Sequence, residues 1–301
     1  MNILLTGATG LLGSCIVESH KNIGNLFGVY LGNYELPNRK DLTYYNADVR
    51  DKKKMGEIFR KSPIDVVIHT AGEARVDFCE KNYKEAHSSN VAGTKNIIEL
   101  CRKYKSKLIY ISTNAVFDGT KPPYKEGDMP NPINAYGRIK LECENLARAS
   151  IGDFLLVRPI LMYGWNRPEE RDNVATWILK KLRRNEPVKL VDDIFDNPLY
   201  ALQCADIILK LIERKKSGIY HIAGGEILSK YQFGLKVAGV FGCNKNLIKP
   251  VKNIYFKNIA PRPGDTSYDT SKIRRELGIK PMHVREGLLE MLKGPNTDDH
   301  R

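Results

Sequence analysis

Three features of the 301-residue sequence predict an α/β protein built on a doubly wound parallel sheet. Short apolar runs alternate with helical patterns through the first half of the chain. Those runs are continuous rather than alternating, the pattern of strands covered on both faces. The first of them ends in a glycine-rich turn that leads straight into a helix pattern.

Taken in order, Asn2–Thr6 (NILLT) reads as a buried strand, with a helix from Leu11. Further strands read at 26–31, 66–70 (VVIHT), 108–112 (LIYIS) and 154–158 (FLLVR). Helical stretches lie between them at 52–61, 83–104 and 135–149. After Arg158-Pro159 the regularity falls. Helices are expected at 173–184, 204–215 and 231–241, a strand at Gly218–Ile222, and a final helix at Val284–Lys293. The segment 249–271 holds three prolines and reads as loop, and the polar tail 294–301 reads as frayed. The expected division is a sheet domain over residues 1–160 and a smaller C-terminal α/β substrate lobe over 161–301. Some segments of that lobe are expected to return to the sheet domain.

Composition narrows the class. Hydrophobic residues make up 42% and charged residues 28%, which excludes a disordered or collagen-like chain. No apolar run approaches the roughly 20 residues that span a bilayer, and the N-terminus lacks a basic leader region. A soluble, cytoplasmic protein is expected, with no membrane partner. The six cysteines (Cys15, Cys79, Cys101, Cys143, Cys204, Cys243) are spread singly, a spacing that implies neither a metal site nor a disulfide framework. The net charge of +13 is dispersed over clusters at 52–54, 180–184, 214–216 and 272–275 that read as solvated helix faces. Nucleic acid is therefore not expected as a partner, since a binder concentrates its charge in one patch. A general positive field favours anionic small molecules such as nucleotides.

The sequence Thr6-Gly7-Ala8-Thr9-Gly10-Leu11-Leu12-Gly13 has the spacing of a dinucleotide cradle. Gly7 permits the tight turn, Gly10 lets backbone approach a pyrophosphate, and Gly13 lets helix and strand pack closely. The helix start then offers free N–H groups to phosphates, so Gly7, Thr9, Gly10, Leu11, Leu12 and Gly13 are candidate cofactor contacts. This makes the sheet domain an NAD(P)-binding Rossmann fold. An NAD site places a carboxylate at the end of the second strand for the ribose 2′-hydroxyl. Here that region reads Tyr30-Leu31-Gly32-Asn33-Tyr34, with Glu35 late, so NADP is the expected cofactor and NAD the alternative. Arg39 or Lys40 is the candidate partner for the 2′-phosphate. Asp48-Val49 suits the adenine edge, while Asp48 could equally cap the helix at 52–61.

Tyr136 and Lys140 are four residues apart in a helical stretch and so share one face. A free phenol titrates near 10. A neighbouring ammonium and an oxidised nicotinamide would favour the phenolate and lower that value. Lys140 could also hydrogen-bond the nicotinamide ribose. Ser112-Thr113 closes a strand at the end where parallel sheets bind ligands, and either hydroxyl could hold a substrate carbonyl oxygen beside Tyr136. His69 and His221 lie in apolar strands and read as satisfied core residues.

The stretches TGATGLLG and YISTNAVFDGTKPPYKEGDMPNPINAYGRIKLECE resemble the extended short-chain dehydrogenase/reductase family, and within it the dTDP-4-dehydrorhamnose reductase group. Asn90-Val91-Ala92-Gly93-Thr94, and Arg262-Pro263 followed by Ser271-Lys272, extend the resemblance over nearly the whole chain. It implies Thr113, Tyr136 and Lys140 as the catalytic trio. It places Asn90 near the active site, and Gly7, Gly10, Gly13, Asp48 and Ala71-Gly72 at the cofactor. It also implies a reductase that delivers hydride from NADPH to a nucleotide-linked keto-deoxysugar, with a homodimer as the usual assembly. Arg262 is the candidate contact for the sugar-nucleotide phosphates, or else an ordinary ion pair.

The chain departs from that group at three positions. Asn114-Ala115 stands where Asp-Tyr is usual, and Leu161 stands where rhamnose-forming members carry tryptophan; Asn114 is kept as a substrate-pocket candidate. Residues 160–164 (ILMYG) instead resemble the regulatory β subunit of methionine adenosyltransferase. The competing readings are an epimerase or dehydratase of the same superfamily and a non-catalytic cofactor-binding subunit. Thr113-Asn114 lacks the acidic residue of dehydratases, and the intact Tyr136/Lys140 pair argues for chemistry.

Overall fold

The computed structural model describes residues 1–20, 23–150, 152–256 and 259–294. The first half runs β1 (Asn2–Thr6), α1 (Leu11–Ser19), β2 (Asn25–Tyr30), β3 (Leu42–Asn46), α2 (Lys52–Lys61), β4 (Val66–His69), α3 (Val76–Lys81), α4 (Tyr83–His87) and α5 (Gly93–Tyr104). It continues with β5 (Lys107–Ile111), α6 (Ala135–Ser150) and β6 (Phe154–Pro159). The second half adds β7 (Met162–Tyr163), α7 (Val174–Arg183), β8 (Val188–Val191), β9 (Phe195–Asp196), β10 (Leu199–Tyr200), α8 (Ala201–Glu213), β11 (Gly218–Ile222) and β12 (Leu228–Ser229). It ends with α9 (Lys230–Val240), β13 (Ile248–Val251), α10 (Ser271–Leu277) and α11 (Val284–Lys293).

Seven strands form one sheet in the order β11-β6-β5-β4-β1-β2-β3. Every pairing in it is parallel, for example Leu5 beside Ile68 and Tyr110 beside Leu156. The protein is thus a doubly wound α/β fold. The strand order reverses between β1 and β4, which opens the crevice where such sheets bind ligands. Successive strand residues face opposite sides. Ile3, Leu5, Ile109 and Leu155 therefore pack under α1 and α8, while Leu4, Leu108 and Leu156 pack under α2, α5 and α6. A third core (Tyr163, Ile178, Leu190, Phe233, Leu288) joins α7, α9 and α11 over the short β13–β8 pair.

The structure revises several elements. The helix expected at 83–104 is interrupted by a π-helical turn at Ser88–Ala92, which carries Asn90. Such turns distort the backbone at the place where a side chain must be re-aimed. Gly218–Ile222 lies in the main sheet against β6. The segment 249–271 is not wholly loop, since Ile248–Val251 pairs with β8, and single bridges tie Asp265 to Phe195 and Tyr268 to Tyr124. Helices α3 and α10, of six and seven residues, were too short to show a period. Of the expected frayed tail, all but Gly294 lies outside the described residues.

Among the described residues no helix is long and apolar enough to cross a membrane, and no group of three or more His, Cys, Asp or Glu could hold a metal ion. All six cysteines are free thiols.

Asp196 in β9 is a buried carboxyl whose Oδ1 has no hydrogen-bond partner, and burial pushes its pKa up to about 7. Its folded value exceeds the unfolded one near 3.8, so it holds its proton longer in the native state. The stability it contributes is complete below pH 4 and is lost as the pH rises towards 7. Asp196→Asn should therefore raise stability at pH 8 by about 1–3 kcal/mol and leave it nearly unchanged at pH 4. Thermal melts at the two pH values check this, and an equal shift at both would refute it.

Candidate active site

A cavity of about 900 Å³ opens over the C-terminal ends of β1, β2, β4, β5 and β6. That volume is in the range of cofactor sites. One wall is the turn after β1, contributing Gly7, Thr9, Gly10, Leu11, Leu12 and Gly13. Gly7 has φ +73°, and a Cβ on it would fall 2.5 Å from Thr70 Oγ1. A Cβ on Gly13 would fall 2.0 Å from Gly7 O, so the α1 start lies directly on the strand end. Gly10 is the N-cap of α1 and no side chain caps the helix. Its first N–H groups are thus left for an anion, which fits a dinucleotide diphosphate.

At the far end the cavity is bounded by Tyr30, Leu31, Tyr34, Asp48, Val49 and Arg50. The cap of α2 is Asp51, which accepts from Lys54 N, so Asp48 does not serve as that cap. Asp48 instead holds Arg50 through both carboxylate oxygens, accepting from Nη2 at Oδ2 (2.5 Å) and from Nε at Oδ1 (3.0 Å). Arg39 is turned away: its guanidinium is paired with Asp41 at 2.6 Å and bonded to Val17 O. Lys40 is exposed and is absent from the lining. The cation at this end is therefore Arg50 rather than Arg39 or Lys40. Two loops meet across the mouth, where Tyr34 donates to Glu170 at 2.8 Å and Arg167 donates to Glu35 O.

Ala71 and Gly72 form the middle wall. Gly72 has φ +153°, and its missing Cβ leaves room for Asn90 Oδ1, which would stand 2.3 Å from it. Asn90 is held by its amide to Ala86 O and Glu73 O, and this explains the π-helical turn beneath it. Unable to continue the α-helical ladder, the turn swings Asn90 towards the β4 end.

Thr113, Asn114, Tyr136 and Lys140 line the opposite end of the same cavity. Thr113 caps the single turn 114–116 by accepting from Ala115 N at 3.1 Å. Its neighbour Ser112 is buried and donates to Glu144 at 2.5 Å, whereas the Thr113 hydroxyl donates to Asn114 Oδ1 at 3.3 Å, a longer bond that a ligand oxygen can replace. Gly137 decides how close Tyr136 comes, because a Cβ there would be 2.1 Å from Ala115 O. A glycine inside a helical pattern was the available signal for this contact.

Of the two groups expected to lower the phenol pKa, the ammonium of Lys140 does not do so. Burial pushes Tyr136 up to about 12, against the pull of a hydrogen bond with Thr113 and of the Arg171 charge. The ammonium of Lys140 does not oppose it, because it donates to Ile111 O at 2.6 Å and lies over the Tyr110 ring. Burial brings Lys140 itself down to about 8.

Arg262 is not brought to this cavity. Its guanidinium is paired with Asp77 at 2.8 Å and donates to Ala260 O, the ion-pair alternative of the sequence reading. Arg75 and Arg171 line the wall in its place. Arg75 is tied to Glu73, whereas Arg171 is exposed and has its charge directed at Tyr136 and Glu73. Nothing in the local pattern around Arg75 or Arg171 marked them. His69 is held between Thr6 Oγ1 and Thr94 Oγ1, and His221 between Arg158 and Tyr124 O. Burial brings both down to about 3, so they are neutral packing residues.

A family model described as the RmlD substrate binding domain matches residues 1–296. The chain belongs to that family. Among curated relatives, a probable low-salt glycan biosynthesis reductase, Agl14, of Haloferax volcanii is 31% identical, covering 96% of each chain. Methionine adenosyltransferase 2 subunit beta of Xenopus tropicalis is 29% identical, over 96% of this chain and 86% of its own. Among solved structures, a dTDP-4-dehydrorhamnose reductase of Clostridium acetobutylicum superposes with a TM-score of 0.84 at 27% identity, covering 97% of this chain and 99% of its own. The RmlD family thus accounts for the resemblance in VFDG…YGRIK. Of the departures, Asn114 and Leu161 both face this RmlD-type cavity, and Asn114 donates to Thr266 at 2.6 Å.

Proposed function

We propose that the protein is an NADP-dependent reductase of a nucleotide-linked 4-keto-6-deoxysugar. The observation that carries this reading is the convergence of Thr113, Tyr136 and Lys140 at one end of a cavity whose other wall is an uncapped glycine-rich helix start. The diphosphate of a dinucleotide suits the N–H groups after Gly10, and Lys140 would hold the nicotinamide ribose. Arg50, with no carboxylate ending β2, favours a 2′-phosphate. When bound, the reduced nicotinamide supplies hydride to the keto carbon. Tyr136 gives its proton to the oxygen as that oxygen becomes an alkoxide, and Thr113 donates a hydrogen bond to the same atom. With the phenol held near 12, the proton donor stays loaded at neutral pH. Arg171 takes the anion-contact role for the sugar nucleotide, in place of Arg262.

The test is oxidation of NADPH by the purified protein with dTDP-4-dehydrorhamnose, with NADH in parallel. Turnover that favours NADPH is expected, and Arg171→Ala should raise KM for the sugar nucleotide alone. Failure to bind either dinucleotide would overturn the reading. NADPH binding without turnover on any 4-keto nucleotide sugar would favour the second reading, a cofactor-binding regulatory subunit. That reading draws on the 29% identity to the methionine adenosyltransferase subunit and on residues 160–164.

A further inference from the structure

Behind the catalytic end lies a charged group that the chemistry above does not use. Glu144 and Arg158 are 0% and 1% exposed and form a two-point ion pair, Nε to Oε1 at 2.9 Å and Nη2 to Oε2 at 2.6 Å. Oε1 also accepts from Ser112 Oγ at 2.5 Å, and Arg158 Nη1 lies 3.3 Å from His221 Nε2. A buried pair of this kind contributes little net stability against an apolar replacement of equal volume. Its placement supplies a different reason for it. Tyr136, Lys140 and Glu144 follow at intervals of four on α6 and share one face. Ser112 directly precedes Thr113, and Arg158 lies in β6.

We infer that Ser112, Glu144 and Arg158 are positioning residues. They clamp the rotation of α6 against the ends of β5 and β6, and so set Tyr136 and Lys140 against Thr113. Three elements meet at one carboxylate, and each bond is charge-assisted or short, so the clamp has one geometry rather than several. A helix free to turn would carry Tyr136 away from Thr113 first, because Tyr136 is two turns from the anchor. The clamp also has an electrostatic effect. Around the Lys140 ammonium stand His69 on β4, Tyr110 on β5, Cys79 on α3, and Cys143 and Glu144 on its own helix. Burial lowers Lys140, and among the groups that oppose it, after Cys143, Glu144 is the one carboxylate.

The inference rests on the reductase reading for its kinetic arm but not for its binding arm. The experiment is NADPH affinity across pH 6–10, followed by nicotinamide fluorescence, in the parent protein, Glu144→Gln, Ser112→Ala and a Lys140→Met control. The parent should lose affinity as pH rises through about 8, where Lys140 loses its charge. In Glu144→Gln that loss should move down by about one pH unit, while Lys140→Met should show no such step. Ser112→Ala should keep the step but lower kcat about tenfold with KM for NADPH unchanged. If Glu144→Gln fails to fold with Arg158 unpaired, Glu144→Gln/Arg158→Lys keeps the cation on a more flexible stem and is read in the same way. A step that stays at the parent pH in a folded variant lacking Glu144 overturns the electrostatic role. An unchanged kcat in Ser112→Ala overturns the positioning role. A parent protein that binds NADPH with the expected step but turns over no sugar nucleotide defeats the function reading alone.

Discussion

Replacing Tyr136 with phenylalanine should lower turnover by about 10²–10⁴-fold, the usual contribution of a positioned general acid. NADPH affinity should stay close to that of the parent. The substitution removes one hydroxyl and leaves the ring packed against the α2–α5–α6 core. The oxygen so deleted is the group that hydrogen-bonds Thr113 and faces the cavity. Stopped-flow oxidation of NADPH with the 4-keto sugar nucleotide reads the first quantity, and fluorescence titration the second. Turnover near that of the parent would remove Tyr136 from proton transfer. The pH profile should carry the same assignment. With the phenol near 12, its proton is retained through the working range, so the fall in rate on the alkaline side should follow Lys140 near 8 instead.

Gly13→Ala and Gly10→Ala should fail in different ways, although both alter the same glycine-rich turn. An added Cβ at Gly13 would lie 2.0 Å from Gly7 O and 2.9 Å from Ala8 Cα, both backbone atoms that have nowhere to move. Helix α1 must then lift from β1, which should cost about 1–3 kcal/mol or more and abolish NADPH binding with it. At Gly10 the nearest atom is 3.6 Å away, an ordinary contact. The free protein should tolerate that methyl group with its melting temperature almost unchanged. Binding should still fall, because the new group occupies the approach of the diphosphate to the helix start. Thermal melts paired with NADPH titrations separate the two outcomes. Equal destabilisation in both variants would show that the turn is purely structural.

Much of this protein was legible in short stretches of sequence because the relevant physics is local there. Glycine spacing states where backbone must approach closely, and a four-residue interval states which side chains share a helix face. Continuous apolar runs state which strands are covered on both sides. The cradle from Gly7 to Gly13, the Tyr136/Lys140 pair and the parallel sheet all follow from such intervals, and the fold bears out the sheet. Gly137 could have been read the same way, since a glycine within a helix marks a close approach.

What only the tertiary structure decided is which of several equivalent groups reaches the cavity. Arg262 is taken by Asp77, 185 residues away, and Arg39 by Asp41 and Val17. Arg50 and Arg171 line the wall instead, with no local pattern to single them out. Ser112 and Thr113 are indistinguishable in sequence until Glu144, from α6, claims the serine. The pKa of the phenol in the chain itself is raised for the same reason: burial depends on everything packed around Tyr136, whereas the sequence shows only the lysine one turn along. Residues four apart are bound to meet once a helix forms. Residues a hundred apart meet only because the sheet orders its strands as it does, and that ordering is a property of the whole chain.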